Sequence, residues 1–226
     1  KHGLSGQRRR YDAAGNEIES TMLGPDGRPA LSAALVSTVR GRFDEWGNPV
    51  GASQFGVQGE PTLDKNGVAG FRAVFDAQGN EIENYFVDTA GQPTLHAQGY
   101  AGWRASYDAR GREIQTTFLG TDGTPCLRNE GLAGWRLKYN ERGPLAEKVG
   151  LGLDGKPVIH QRGMAGWRIE YDERGREILR DYFGQDGRPL LTLEGVAGRR
   201  MKYDDRDNLI EVAYFDPSGA PTLHEE

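Results

Sequence analysis

The sequence predicts an all-β fold, a tandem array of β-hairpins in seven copies of a 32-residue unit. Three observations carry that expectation. First, the chain falls on itself when shifted by one such unit: Tyr11, Phe43, Phe75, Tyr107, Tyr139, Tyr171 and Tyr203 share one place in the repeat. Gly27, Gly59, Gly91, Gly123, Gly155, Gly187 and Gly219 share another, and Pro29, Pro61, Pro93, Pro125, Pro157, Pro189 and Pro221 a third. Second, apolar residues inside a copy alternate with period two, the mark of a strand. Third, glycine or proline punctuates the chain so often that no stretch is left for a helix.

The copies span 3–34, 35–66, 67–98, 99–130, 131–162, 163–194 and 195–226, and the whole chain 1–226 is read as one array. Lys1-His2 looks like the tail of an earlier copy, so the chain is expected to be a segment of a longer protein. Copies three to six are closest to the pattern, although copy five softens at Asn140, Pro144 and Gly150; copy 99–130 shows the unit. Its first strand places Trp103, Ala105 and Tyr107 on one face, with Arg104, Ser106 and Asp108 on the other. Asp108-Ala-Arg-Gly111 then reads as a type I turn ending on a residue of left-handed backbone. A second strand from about Arg112 to Leu119 carries Ile114 and Phe118 on one face and Glu113 and Gln115 on the other. Another turn follows at Thr121-Asp-Gly123, Pro125 opens a short third strand ending at Leu127, and Gly131 to Gly134 leads into the next copy. The first two copies diverge most, with Gln7 and Val39 where later ones carry Phe71, Trp103, Trp135 and Trp167, and the last replaces its first-turn glycine by Asp207. A lone hairpin is marginal in water, so each copy must bury its apolar face against its neighbours. Three arrangements do this: an extended meander of hairpins, which the hairpin-type turns favour, a β-solenoid with one coil per copy, or a closed propeller with small blades.

Composition bounds the chemistry. Only 36% of residues are hydrophobic, so the core must be thin. The net charge of −5, from 28 basic and 33 acidic residues intermixed along the chain, offers no basic footprint for nucleic acid. No apolar run is long enough for membrane insertion by this segment. A single cysteine, Cys126, excludes an internal disulfide framework. It stands where other copies have Ala30, Thr62, Thr94, Val158, Leu190 and Thr222, so it reads as a filler and not a nucleophile.

Tyr107-Asp108-x-x-Gly111-Arg112, repeated as Tyr11-Asp12-x-x-Gly15-Asn16 and Tyr171-Asp172-x-x-Gly175-Arg176, resembles the YD repeat of RHS and teneurin proteins. The resemblance implies a spiralling sheet of β-hairpins within a large, secreted or surface-exposed protein, in some members a shell around a toxin. This chain has a longer, stricter period and adds Gly-x-Ala-Gly-Trp-Arg and Asp-Gly-x-Pro-x-Leu blocks.

The candidate binding residues are the repeated arginines Arg40, Arg72, Arg104, Arg136, Arg168 and Arg200, preceded by Arg8, and the tryptophans Trp103, Trp135 and Trp167. Strand alternation points each arginine away from its neighbouring aromatic and sets the seven in a row, where each requires a carboxylate; Asp108, Glu113 or Gln115 and their equivalents are the candidates. The tryptophans read either as packing between repeats or as a platform for sugar rings. His96, His160 and His224 recur in every second copy, too far apart along any linear array to share one metal ion, and no metal or cofactor is expected. Gly150-Leu-Gly152-Leu-Asp-Gly155 matches a dinucleotide fingerprint only because the repeat places Gly155 in a turn; no helix follows it. Trp46, at a turn, is expected to be exposed. No catalytic pair stands out. The expected function is therefore a noncatalytic scaffold in the extracytoplasmic or surface part of a larger protein, binding a protein partner or other regions of the same protein. The alternative is an anionic-glycan or cell-wall-polymer module using the aromatic and arginine rows.

Overall fold

The computed structural model describes residues 3–224 and is all β. The first strand of each hairpin is β1 (Gly6–Tyr11), β3 (Thr38–Phe43), β5 (Gly70–Phe75), β7 (Gly102–Tyr107), β9 (Gly134–Tyr139), β11 (Gly166–Tyr171) or β13 (Gly198–Tyr203). The second is β2 (Glu17–Leu23), β4 (Pro49–Phe55), β6 (Glu81–Val87), β8 (Glu113–Leu119), β10 (Leu145–Leu151), β12 (Glu177–Phe183) or β14 (Leu209–Phe215). These fourteen strands form one antiparallel sheet in sequence order, so the meander of hairpins is the arrangement adopted. A coil per copy would instead have paired equivalent strands of successive copies.

Local chemistry explains the elements. At the first turn Asp12 Oδ1 accepts the amides of Ala14 and Asn16, both at 2.9 Å, while its Oδ2 accepts the Asn16 side chain. Asp44, Asp76 and Asp204 repeat the arrangement with Asn48, Asn80 and Asn208, and Asp172 does so with Arg176. The turn closes on Gly15 at φ 91°, and each hairpin between β1–β2, β3–β4, β5–β6, β9–β10, β11–β12 and β13–β14 carries the accompanying bulge. Among the described residues, two other than glycine occupy such left-handed positions, Leu35 at φ 67° and Asp207 at φ 66°.

The expected third strand is reduced to a single bridge, for instance Leu119↔Pro125, and the same holds in all seven copies. Proline has no N–H to extend a ladder, so the following residue makes the bond, as Cys126 N to Phe118 O at 3.0 Å. A third turn, where the sequence predicts only a lead into the next copy, then occupies the residues that follow. Its cap is Ser32, Asp64, His96 or His160, whose side chain accepts the amide two residues on.

By contacts the chain divides into two compact units. One holds β1 to β7 and residues Phe118–Cys126; its core includes Val68, Ala69, Ala73, Val87, Ala101, Ala105 and Leu119. The other holds Arg112–Thr117 and the chain from Leu127 on, with a core of Ala133, Val149, Leu151, Ala165, Ile169, Phe183, Ala197, Met201 and Phe215. As the composition implied, the core is thin: among the described residues each of the last five copies contributes four buried apolar positions, the second copy only Val36, and the first none. The Gly-x-Ala-Gly block follows from close backbone approach. Ala101, Ala165 and Ala197 are fully buried, and a Cβ on Gly166 or Gly198 would fall 2.4 or 2.3 Å from the carbonyl oxygen of Lys148 or Arg180 on the preceding hairpin.

Candidate functional site

The tyrosine of the Tyr-Asp motif joins successive hairpins. Tyr107 Oη donates to Glu81 O, Tyr139 to Glu113 O and Tyr171 to Leu145 O, each at 2.8 Å, and Tyr203 to Glu177 O at 2.9 Å. Alternation within one strand could not reveal this bond, because the acceptor lies 26 residues back on another hairpin. Burial and the nearby Glu177 push the Tyr171 hydroxyl above its ordinary pKa, against the opposing influence of Arg180.

The arginine row is only half neutralised. Arg40, Arg104 and Arg168 reach Glu19, Glu83 and Glu147 across the strand at 2.8, 2.6 and 2.8 Å. These acids are the equivalents of Gln115; the Asp108 equivalents are occupied in turns. In the intervening copies the facing residue is Gly51, Gln115 or Leu179, opposite Arg72, Arg136 and Arg200. The expectation that every arginine has a carboxylate is therefore corrected. The acid recurs in every second copy, in step with His96, His160 and His224. Other contacts support the row: Arg72 Nη2 donates to Gly91 O, and Arg40, Arg168 and Arg200 lie 4.4, 4.2 and 4.5 Å over the rings of Phe55, Phe183 and Phe215. Among the described residues Arg136 is exposed and makes no ion pair, and Arg8 lies on β1 opposite Thr21. Glu147 also accepts Lys138 at 2.9 Å; burial raises its pKa, but the two cations prevail and hold it below the ordinary carboxylate value.

Trp103, Trp135 and Trp167 are half-buried on the opposite face, so the structure does not bring the two candidate rows together. Trp135 Nε1 donates to Glu113 Oε1 at 2.6 Å, and the rings of Trp135 and Trp167 lie under Lys148 (4.2 Å) and Arg180 (4.9 Å). Arg180 is tied to Glu177 at 2.7 Å, and Arg199 reaches the same carboxylate at 3.2 Å. Trp46, at 78% exposure, lies open as expected. The histidines act as turn caps and ring partners, His96 against Phe86 and Tyr100, His224 against Tyr214. Among the described residues no three His, Cys, Asp or Glu side chains come together as a metal site. Cys126 is half-buried, and burial raises its thiol pKa.

Two open clefts stand out, one in each unit. The first, about 780 Å³, is lined by Asp76, Asn80, Glu83, Arg104, Tyr107 and Asp108, among others. The second, about 760 Å³, lies on the tryptophan face and is lined by Trp135, Lys148, His160, Arg162, Trp167 and Arg180, among others. Burial lowers the pKa of Lys148, with Arg128 and Arg162 adding to the effect and Glu113 opposing it. His160 is lowered by burial and then by Arg162.

No protein-family model matches the chain, and no curated protein matches it. Solved structures do. A structure of the Photorhabdus luminescens Tc holotoxin pore carrying a TccC3 mutation superposes with a TM-score of 0.59 at 15% identity, over 94% of this chain and 9% of that one. A crystal structure of TcdB2-TccC3 without its hypervariable C-terminal region matches with a TM-score of 0.37 at 13% identity, over 92% of this chain and 12% of that one. This chain thus spans about a tenth of the length of the chains it matches. The likeness to the holotoxin chain is one of fold.

Proposed function

We propose that this chain is a noncatalytic repeat scaffold, a length of hairpin sheet within a larger secreted or surface-exposed protein, which holds a protein partner or other regions of that protein. The observation that carries this reading is the use of the recurring polar groups. The motif tyrosines from Tyr107 on, the turn aspartates and most of the strand arginines are engaged in turns, ion pairs or contacts with the neighbouring hairpin. The motif that resembles the YD repeat therefore has a structural job. The fold shared with a Tc holotoxin chain about ten times longer supports a scaffold role within a larger protein. The glycan reading is weakened because its two rows lie on opposite faces.

The test is calorimetric titration of the full chain with acidic and cell-wall glycan fragments. No saturable heat is expected. Saturable binding that disappears in Trp103→Ala and Trp135→Ala would overturn the scaffold reading in favour of a glycan module.

A further inference from the structure

On the tryptophan face the repeat follows a pairing rule that fails once. Where the second strand carries a polar residue at the position of Asn84, a glutamate stands three residues before it. Glu81 accepts Asn84 Nδ2 at 2.6 Å, Glu113 accepts the Thr116 hydroxyl, and Glu177 holds Arg180 at 2.7 Å. Ser20 likewise follows Glu17. Where the position is apolar the acid is missing too: Pro49 precedes Ala52, and Leu209 precedes Val212. The exception is the copy containing Lys148, where the acid position is occupied by Leu145.

Lys148 is thus a cation set into the sheet without the carboxylate that the repeat supplies elsewhere. Its ammonium lies 4.2 Å over the ring of Trp135, it is half-buried, and among the described residues it forms no ion pair. It opens into the 760 Å³ cleft of the second unit, together with Arg162, which is exposed and likewise without an ion pair among the described residues. The other cations there are satisfied: Arg128 by Glu130 at 2.9 Å, Arg180 by Glu177. The remaining acid on the walls, Glu194, faces His224 at 3.4 Å. A partly desolvated ammonium is stabilised by a carboxylate delivered to it, and a charge-assisted bond of this kind contributes more than a neutral one.

We propose that this cleft is a docking site for an acidic peptide segment of a partner protein, with an Asp or Glu carboxylate taking the place at Lys148 that Glu177 holds at Arg180. This rests on the scaffold reading and names the partner's chemistry. The cleft lacks an anion and not ring surface, since Trp135 and Trp167 each already carry a cation over one face. Leu132, Met164 and Leu193 on the walls suit the methylenes of a peptide side chain.

The experiment titrates the full chain with an acetylated, amidated hexaglutamate peptide and, separately, with a hexauronate oligosaccharide of equal charge. Three variants accompany the wild type. Lys148→Gln removes the cation, Leu145→Glu supplies the missing internal acid, and Lys156→Gln makes the same charge change at a turn lysine that is 79% exposed. The expected result is saturable peptide binding, weakened about tenfold in both Lys148→Gln and Leu145→Glu and by less than twofold in Lys156→Gln. Leu145→Glu keeps the cation and adds its partner, so its loss of binding cannot be ascribed to unfolding if its thermal midpoint is at or above the wild-type value. No peptide binding, or equal loss in all three variants, overturns the docking site and leaves the scaffold reading standing. Tighter binding of the uronate than of the peptide, with the same dependence on Lys148, overturns both.

Discussion

Replacing Tyr171 by Phe removes one oxygen and leaves the ring, so it isolates the bond from its hydroxyl to the Leu145 carbonyl, 2.8 Å long and part-buried. A neutral hydrogen bond of this kind contributes about 0.5–1.5 kcal/mol, and a buried carbonyl left without its donor moves the cost toward the upper end. We expect about 1–1.5 kcal/mol, localised where β11 docks on β10. In a repeat protein such a loss promotes local opening. Hydrogen exchange followed amide by amide is therefore the assay: protection on the ladder pairing Glu147 with Arg168 and Val149 with Gly166 should fall by about five- to twelvefold. Tyr11→Phe is the control, because that ring is 53% exposed and no described hairpin precedes it. Phe75 marks a copy without the hydroxyl, and Phe75→Tyr should slow exchange between β4 and β5. The raised pKa gives a second readout. The stability that the neutral hydroxyl contributes is fully present below the unfolded value of about 10 and is lost as pH rises through the folded value, so Tyr171→Phe should lose less stability in alkali than wild type. Exchange within twofold of wild type, or equal effects of Tyr171→Phe and Tyr11→Phe, would refute the idea that the hydroxyl joins the hairpins.

Further outcomes follow from the same geometry. Leu35→Gly should raise the urea midpoint by the equivalent of about 0.5–1 kcal/mol, since the left-handed backbone at φ 67° costs leucine more than glycine loses in entropy; a lower midpoint would count against it. Leu179→Glu should give Arg200 the carboxylate that Arg168 has, with a coupling below about 1 kcal/mol in a double-mutant cycle with Arg200→Gln, because the arginine is exposed; zero coupling at low salt would reject the ladder. The turn aspartates should govern acid unfolding. Hydrogen bonds from the Asn80 side chain and amide lower the pKa of Asp76, and those from the Arg176 amide and guanidinium lower that of Asp172. Their contribution is present above the unfolded value of about 3.9 and is lost as pH falls through the lowered folded values. The double variant Asp76→Asn, Asp172→Asn should show a shallower loss of stability below about pH 4 in an acid titration followed by circular dichroism.

The hairpins, their two turns and most strand faces were legible because alternation and turn chemistry are local. The face of Glu113 and its equivalents was not, since the bulge beside the turn brings them to the tryptophan face, where Glu113 accepts Trp135 Nε1 instead of serving the arginine row. Three other features were not legible. The third strand is cut to one bridge because Pro125 and its equivalents have no N–H to extend the ladder. The third turn was hidden because its cap changes type, from Ser32 to Asp64 to His96; only its glycine persists, and Leu35 interrupts even that. The partners of Tyr107 and Arg104 lie on the preceding hairpin, 26 and 21 residues away, a register that depends on the turn lengths and bulges between them. The alternation of Glu19, Gly51, Glu83, Gln115, Glu147 and Leu179 was visible all along. Without the register there was no reason to compare those six positions. Lys148 escaped for a related reason: its oddity is the leucine three residues before it, and only the bulge beyond Leu145 brings that position to the same face.

The bonds from the motif tyrosines, and the carboxylate bonds of Arg40, Arg104 and Arg168, reach toward earlier residues: Tyr107 to Glu81, Arg104 to Glu83, Tyr203 to Glu177. During synthesis each new hairpin therefore emerges after these acceptors have been made. The separation between partners stays near one repeat however many copies precede, so loop-closure entropy does not grow with the length of the array. A ribosome can lengthen such a sheet at constant difficulty, one docking step per copy, with the newest edge always serving as the template for the next.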